Sequence, residues 1–542
     1  MAALRFELLL RHDVDATAEV LERETARSLG VARTAVGRVR IARRTLDARR
    51  RLGAPMWRLL VDAELAGPIG KTRVEIKPVP PPITRLASPP APPRAGRVLV
   101  VGAGPAGLFA AWHLAELGAE VTLIERGKPV ETRARDFGRF RGRGILDPES
   151  NLCFGEGGAG TYSDGKLYTR TKSELVPEVM ERLVEVGAPP RILIDARPHI
   201  GTNVLFRMLK QLRAKLIELG VEIRFETRVD RLLLDGRRVT GVETRQGERI
   251  EAARVLLAIG HSARDTFQAL LAQGVPIEPK PFAVGVRIEH PQELIDVAQY
   301  HLGPPRPRSL PPADYHLAHE AAGRGVYSFC MCPGGMVVPT ATEPETVVVN
   351  GMSTASRGSP FANSGLVAQV ELGDLAREGY GEGPLSGVEL QRTLERAAYR
   401  AGGGGYRAPA MIAADLVARR ASGSLAATHF RPGLTPADLR EVLPGFVLDA
   451  LVEGLMRFDR QIRGYASREA NLIGVESRTS SPIRIPRDPE RLEVEGTPGL
   501  FVAGEGPGYA GGIVSAAVDG LRAAHAILTT LARDQPSAVR SS

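Results

Sequence analysis

The sequence predicts an α/β protein of more than one domain, and three stretches predict it. Residues 97–126 read as an apolar strand, a glycine-rich turn, a helix and a second strand. Residues 253–266 carry an apolar strand that ends at Gly260, and residues 499–524 carry another strand followed by an acid, a glycine cluster and a helix. Short, wholly apolar strands alternating with helices are the pattern of a parallel sheet covered on both faces. At 542 residues the chain is longer than one core usually holds, so two or three domains are expected.

Residues 4–76 read as a small α+β unit. "LRFELLL" alternates like a strand, residues 16–29 have helical spacing, and "AVGRVRIARRTLDAR" and "MWRLLVDAEL" look like two further strands. The net charge of +9 sits wholly in residues 1–97, with its densest part in "RVRIARRTLDARRR", which has seven arginines and one acid. Such a run suits an anionic partner such as nucleic acid. It suits equally a solvated face in an arginine-biased chain with only 8 lysines, and this second reading is favoured because no aromatic residues interleave for base stacking. Residues 77–97 contain eight prolines, the composition of a stiff, extended linker. No apolar run reaches the roughly 18 residues of a membrane helix, and the three cysteines suit a reducing compartment, so a cytoplasmic protein with no membrane partner is expected.

In "RVLVVGAGPAGLFAAWHLAELGAEVTLIER" the glycines fall at 102, 104 and 107 in a G-x-G-x-x-G pattern. Gly102 permits the tight turn, Gly104 lets a pyrophosphate approach the backbone, and Gly107 lets helix and strand pack closely. The helix N-terminus at Pro105 and Ala106 faces the phosphate charge. Glu125 stands 18 residues past Gly107, placed to accept hydrogen bonds from ribose hydroxyls, with Arg126 beside it. Strand, helix, second strand and acid in register predict dinucleotide binding.

These blocks, with "ARVLLAIGHSARDT" and "GLFVAGEGPGYAGGIVSAAVDGLRAA", resemble the FAD-binding domain of the glutathione-reductase-type flavoproteins. The resemblance implies that Glu505 serves the ribityl chain, where the superfamily more often has Asp. It implies that Gly504, Gly511, Gly512 and Ile513 lie near the flavin, that Gly260 ends a strand at the cofactor, and that the Val229 backbone contacts adenine. "NLCFGEGGAGTYSDGKLYTR", "KPFAVGVRIEHPQ", "FCMCPGG", "NGMSTASRGSPFANS" and "GVESRTSSPIRI" are similar to the blocks of a bacterial family of uncharacterised FAD-dependent dehydrogenases, a resemblance over nearly the whole chain. It implies a Rossmann-like FAD-binding domain in two parts (97–266 and 468–532) with a substrate domain (267–467) inserted. Before them come an N-terminal basic α+β domain (1–77), ferredoxin-like in outline, and the linker (78–96). A tail (533–542) is expected to be disordered.

Within "FGEGGAGTYSDGKL" the candidates for wrapping the cofactor are Gly157, Gly158, Thr161, Ser163 and Lys166, since small and glycine residues there suit a loop against a dinucleotide. On "VGVRIEHP", Arg287 and Glu289 share one face of a strand and His290 opposes them. Arg287 is a candidate to hold an anionic substrate and His290 to relay a proton. Their alternative reading is a surface salt bridge plus a hydrogen-bonded histidine. Arg478, Thr479 and Ser480 precede the final flavin-binding strand, and the resemblance puts them near the ring, with Arg478 and Ser480 as catalytic candidates. Cys330 and Cys332 form a C-x-C pair, unlike the C-x4-C or C-x-x-C of disulfide reductases. A packed turn near the active site ranks first, an accessory redox dithiol second, and a metal site with His301, His316 or His319 third, because zinc spacing usually starts from C-x2-4-C. The expected function is a FAD-dependent oxidoreductase, a dehydrogenase or reductase, that moves hydride between a small organic substrate and flavin N5, with no resident metal. No second strand-glycine-helix-acid unit is present for a nicotinamide, so NAD(P)H docking would be transient. The rival is a flavin-dependent RNA-modifying or RNA-binding protein that uses the N-terminal arginines.

Overall fold

The computed structural model describes residues 2–534 apart from 70, 73, 82, 93, 94 and 170. Of the expected tail, residues 535–542 lie outside the described residues. The fold is mixed α/β, with its functional centre in a five-stranded parallel sheet ordered Leu500–Val502, Arg254–Leu257, Val98–Val101, Val121–Ile124, Glu222–Arg224. Nearly every side chain on its three central strands is buried, which is why these strands read as unbroken apolar runs. Helices Pro105–Glu116 and Ile513–Arg533 cover one face so closely that a Cβ on Gly520 would lie 2.1 Å from the Ala106 carbonyl oxygen. A three-stranded antiparallel meander, Val229–Asp235, Arg238–Thr244 and Arg249–Glu251, packs on the other face.

The second large unit is a seven-stranded sheet ordered Ala318–Ala321, Arg324–Cys332, Phe361–Val370, Phe282–Pro291, Asn471–Glu476, Ala408–Ile412, Leu434–Pro436. Helix Gly445–Gln461 lies against it over one continuous core. Here the expected boundary at 467/468 moves. Asn471–Glu476 hydrogen-bonds in register with Phe282–Pro291 and with Ala408–Ile412, so the chain leaves this sheet only after Glu476. An apolar strand just before a flavin-binding block reads the same whichever sheet it joins, and the pairing partner is not visible in local sequence.

The N-terminal unit is an antiparallel sheet ordered Val36–Asp47, Met56–Leu65, Ala2–Arg11, Lys77–Pro78, with helix Ala18–Leu29 packed on it. The strand order is that of a ferredoxin-like sheet, with one α-helix among the described residues of the unit. Several of its arginines are ion-paired within the unit: Arg5 with Asp62 at 2.6 Å, Arg58 with Glu7 at 2.7 Å on the surface, and Arg49 with Asp47. Arg44 reaches out to Asp195 at 2.7 Å, and the Arg44 backbone exchanges hydrogen bonds with Ile194 and Ala196. The proline-rich segment is extended but not free. Leu86 N–H donates to Glu178, the Ser88 hydroxyl lies 2.8 Å from both His113 and His525, and Ala91 N–H donates to Leu117.

Candidate functional site

Three segments converge at the C-terminal edge of the parallel sheet, where open α/β sheets bind ligands. Gly102 leaves its strand at φ +108°, and a Cβ there would stand 2.4 Å from the Ala258 carbonyl oxygen. A Cβ on Gly107 would stand 1.9 Å from the Gly102 oxygen, so only glycine lets helix and strand meet. At Gly104 nothing lies within 4 Å of such an atom. The helix therefore begins, with Pro105 at its first position, on open space into which its free N–H groups point.

The loop after helix Val130–Arg143 folds onto this turn. Gly157 N–H donates to the Ala103 carbonyl at 2.7 Å, and a Cβ on Gly158 would touch Gly104 Cα at 3.2 Å. Gly160 packs on Ile513, the first residue of the long C-terminal helix. Gly511 and Gly512 before it are exposed, so that helix also opens its N-terminus into the crevice. Pro105, Gly157, Gly160, Thr161, Leu209 and Ile513 line one small apolar cavity of about 40 Å3. Gly504 stands against Ala106 with its N–H donating to Asp519 at 2.8 Å, and Gly506 closes on Gly260. Val229 begins the meander strand.

Several candidates hold the cradle together. Glu125 accepts from three backbone N–H groups, Ala103 at 2.8 Å and Gly127 and Gly155 at 2.9 Å, so its carboxylate ties the turn to the loop and leaves about one acceptor position for a ribose hydroxyl. Arg126 is held between Glu149 and Asp265 over the Phe154 ring. Thr161 donates to the Glu156 carbonyl and accepts from Arg133, and Ser163 closes a turn with Gly160 and Gly165. Glu505 accepts from Ser481 N–H at 2.8 Å, and burial raises its pKa. Sequence reasoning missed Arg133. It is fully buried and donates to the carbonyls of Asn151, Leu152, Gly155, Glu156 and Gly158, which fixes the whole loop. In the sequence it sits in "ETRARDFGRFRGR", where one arginine looks like the next; only the neighbouring carbonyl-rich glycine loop signals it.

The family described as "FAD dependent oxidoreductase" matches residues 97–191 and 205–345, and "FAD-dependent protein, C-terminal domain-like" matches residues 281–479. A protein of Clostridium beijerinckii, named only as an uncharacterized protein, is 43% identical over 436 residues, 80% of each chain. This chain belongs to the FAD-dependent oxidoreductase family. Protein FixC of Escherichia coli (strain K12) is 27% identical over 219 residues, 36% of this chain and 44% of its own. Among solved structures, a geranylgeranyl bacteriochlorophyll reductase-like protein from Thermoplasma acidophilum aligns over 81% of this chain and 79% of its own, at a TM-score of 0.33 and 14% identity. The residues present fit the cofactor: the open face at Gly104, two helix N-termini on one crevice and a glycine loop folded across them are what a dinucleotide pyrophosphate requires.

In this family member the catalytic candidates are placed less simply. Arg287 is fully buried, paired with Glu476 at 2.8 Å and donating to Asn363, Asn350 and the Cys330 carbonyl, so the surface salt bridge of the alternative reading is corrected to a buried one. Burial pushes Glu476 up to about 7 despite Arg287. His290 lies on the opposite face, buried against Tyr465 with Nε2 at 2.8 Å from the Tyr465 carbonyl, and burial lowers its pKa to about 4. The imidazole is wholly buried in the core of the second sheet, on the face away from Arg287. Arg478 is also engaged: it grips Glu395 at 2.8–3.0 Å and donates to Thr342, while Arg264 grips the same Glu395 from the other side. Holding a substrate anion would break this cluster. Thr479 donates to the Ala283 carbonyl, and Ser480 is half-buried beside it.

Lys166 departs furthest from expectation. Its ammonium lies 3.0 Å from Asp164 and donates to the Met331 carbonyl, between the two cysteines and away from the pyrophosphate turn. A lysine on a glycine loop reads as a phosphate ligand, and only the long-range approach of "FCMCPGG" redirects it. Among the described residues no group of three or more His, Cys, Asp or Glu side chains is arranged to hold a metal, and none of their helices is long and apolar enough to cross a membrane.

Proposed function

We propose that the protein transfers hydride between a small organic substrate and flavin N5, as a dehydrogenase or reductase of glutathione-reductase-type ancestry. Bound FAD would supply the hydride carrier at N5, which no side chain of the chain provides. The observation that carries the reading is the pair of helix N-termini, at Pro105 and Ile513, opening on one crevice beside the second sheet. Donors and dipoles of that kind favour negative charge, on the pyrophosphate at one end and on the reduced ring at the other. The second sheet contributes Asn350, Asn363 and the Arg287–Glu476 pair, a polar face able to orient a substrate and exclude water.

The N-terminal unit serves as a cap rather than a nucleic-acid module. Its support is the Arg44–Asp195 contact together with arginines already neutralised by Asp47, Asp62 and Glu7 of the same unit. The test is anaerobic titration of FAD-loaded protein with NADH, NADPH and a panel of small alcohols, amines and hydroxy acids. Bleaching of the flavin absorbance by one class at a saturable rate supports hydride transfer. Bleaching by none, with tight salt-sensitive RNA binding instead, favours the rival.

A further inference from the structure

The third cluster of the molecule belongs to neither the cradle nor the Arg264–Glu395–Arg478 group. Side chains at i and i+2 of a strand lie on one face, and in Arg324–Cys332 a bulge falls between Phe329 and Cys332 with Cys330 in the left-handed region at φ +45°. That conformation is costly for a residue with a Cβ. Here it brings the two thiols side by side, with Cys332 S–H donating to the Cys330 carbonyl oxygen at 3.3 Å. Cys330 is partly exposed and Cys332 is buried.

Two cations flank the pair from different elements. Lys166 comes from the cofactor loop, and Arg287 reaches Cys332 Sγ at 3.6 Å from the central strand. The facing groups of opposite or neutral kind are Asp164, Glu476, Tyr168 and Tyr315. The Cys330 thiol is held well below the usual thiol range, first by the Cys332 hydrogen bond and then, against burial, by Lys166 and Arg287. Cys332 is pushed the other way by the same hydrogen bond and by burial. A partly exposed thiolate backed by a protonated, buried thiol is an attacking and a resolving group side by side.

We propose that Cys330 and Cys332 form a thiol–disulfide exchange site for a small disulfide, with Cys330 as the attacking thiolate and Cys332 as the resolving thiol. In the first step Cys330 sulfur bonds to one sulfur of the small disulfide and releases the other as a thiolate. In the second, Cys332 loses its proton and attacks Cys330 sulfur, releasing the second thiolate and leaving a Cys330–Cys332 disulfide. Two protein thiols are oxidised and one external disulfide is reduced to two thiols, so electrons balance without the flavin. This site stands independently of the hydride-transfer reading.

The experiment is reaction of FAD-loaded, full-length protein with dithiodipyridine, followed by thiopyridone absorbance and peptide mapping. The expected result is a fast phase that releases two thiopyridones per chain and leaves an internal Cys330–Cys332 disulfide without adduct. Cys332→Ser releases one and keeps a mixed disulfide on Cys330. Lys166→Met slows the fast phase about tenfold or more near pH 6 and by less than about threefold near pH 9.5, because the cation matters only where thiolate must be favoured. Reaction only after denaturation, stable adducts on both cysteines, or an unchanged pH profile in folded Lys166→Met protein would each overturn the proposal. The wild-type stoichiometry decides even where the lysine variant fails to fold.

Discussion

The glycine cradle and the second sheet border the same crevice and are built on opposite terms. In the cradle the working surface is backbone: side chains are missing at Gly102, Gly104 and Gly107, and N–H groups face open space. On the sheet the working residues are long and charged, yet each is already held, Arg287 by Glu476 and Arg478 by Glu395. A site made of absent atoms tolerates no addition. A site made of mutually satisfied charges tolerates no single removal. The difference separates a site where a substitution fills needed space from one where a substitution strands a buried charge.

The largest effect is expected in the cradle. Gly107→Val puts side-chain atoms into the Gly102 carbonyl and should prevent folding, seen as loss of soluble protein or of a cooperative melt. Gly104→Val has open space for its side chain and should fold, with FAD affinity lowered about a hundredfold or more because the added methyls take the pyrophosphate's place. Equal behaviour of the two variants would break the contrast between packing glycine and binding glycine.

On the sheet, Arg287→Met leaves Glu476 buried without its partner and should cost about 3–5 kcal/mol in denaturant unfolding. Arg287→Met with Glu476→Leu should recover most of that loss. If the double variant is no better than the single, the pair is not the unit described here.

A smaller effect is expected at Glu289, which is buried, faces Thr428 and is pushed up to about 7 by burial. Its folded pKa lies above its unfolded value, so its protonated form supports the fold fully below about pH 4.5, and that support is lost as pH rises through about 7. Glu289→Gln should therefore gain on the wild type over this window, on the order of 3 kcal/mol by pH 8. A constant difference between the two proteins from pH 4.5 to 8 would show that Glu289 does not titrate in the folded state.

The smallest is at the cap, where Arg44→Ala removes a half-exposed pair with Asp195 and should change stability by about 1 kcal/mol or less. Loss of FAD retention larger than that in the same variant would mean the N-terminal unit holds the cradle closed rather than merely resting on it.

The cradle was legible in the sequence because its chemistry is local. Three glycines at fixed spacing, an apolar strand on each side and Glu125 at the end of the second already specify a turn, a packing contact and a helix end. The second sheet was legible only as strands. That Arg287 meets Glu476, that Arg478 meets Arg264 across Glu395, and that Lys166 meets Cys330 and Cys332 are contacts over tens to hundreds of residues, set by strand order. His290 shows the limit from the other side: alternation placed it correctly opposite Arg287, but not that the opposite face is core. Arg133 shows it again, since a buried arginine serving five carbonyls has no mark that distinguishes it from the surface arginines around it.

The central claim is that this cradle holds FAD, without a covalent link, through its backbone. The direct measurement is acid denaturation of the purified, FAD-reconstituted protein, followed by chromatographic identification of the released flavin. The account predicts release of FAD at about one per chain, with none left on the precipitated polypeptide. Release of FMN, retention of flavin on the chain, or a reconstituted protein that releases no flavin would contradict it.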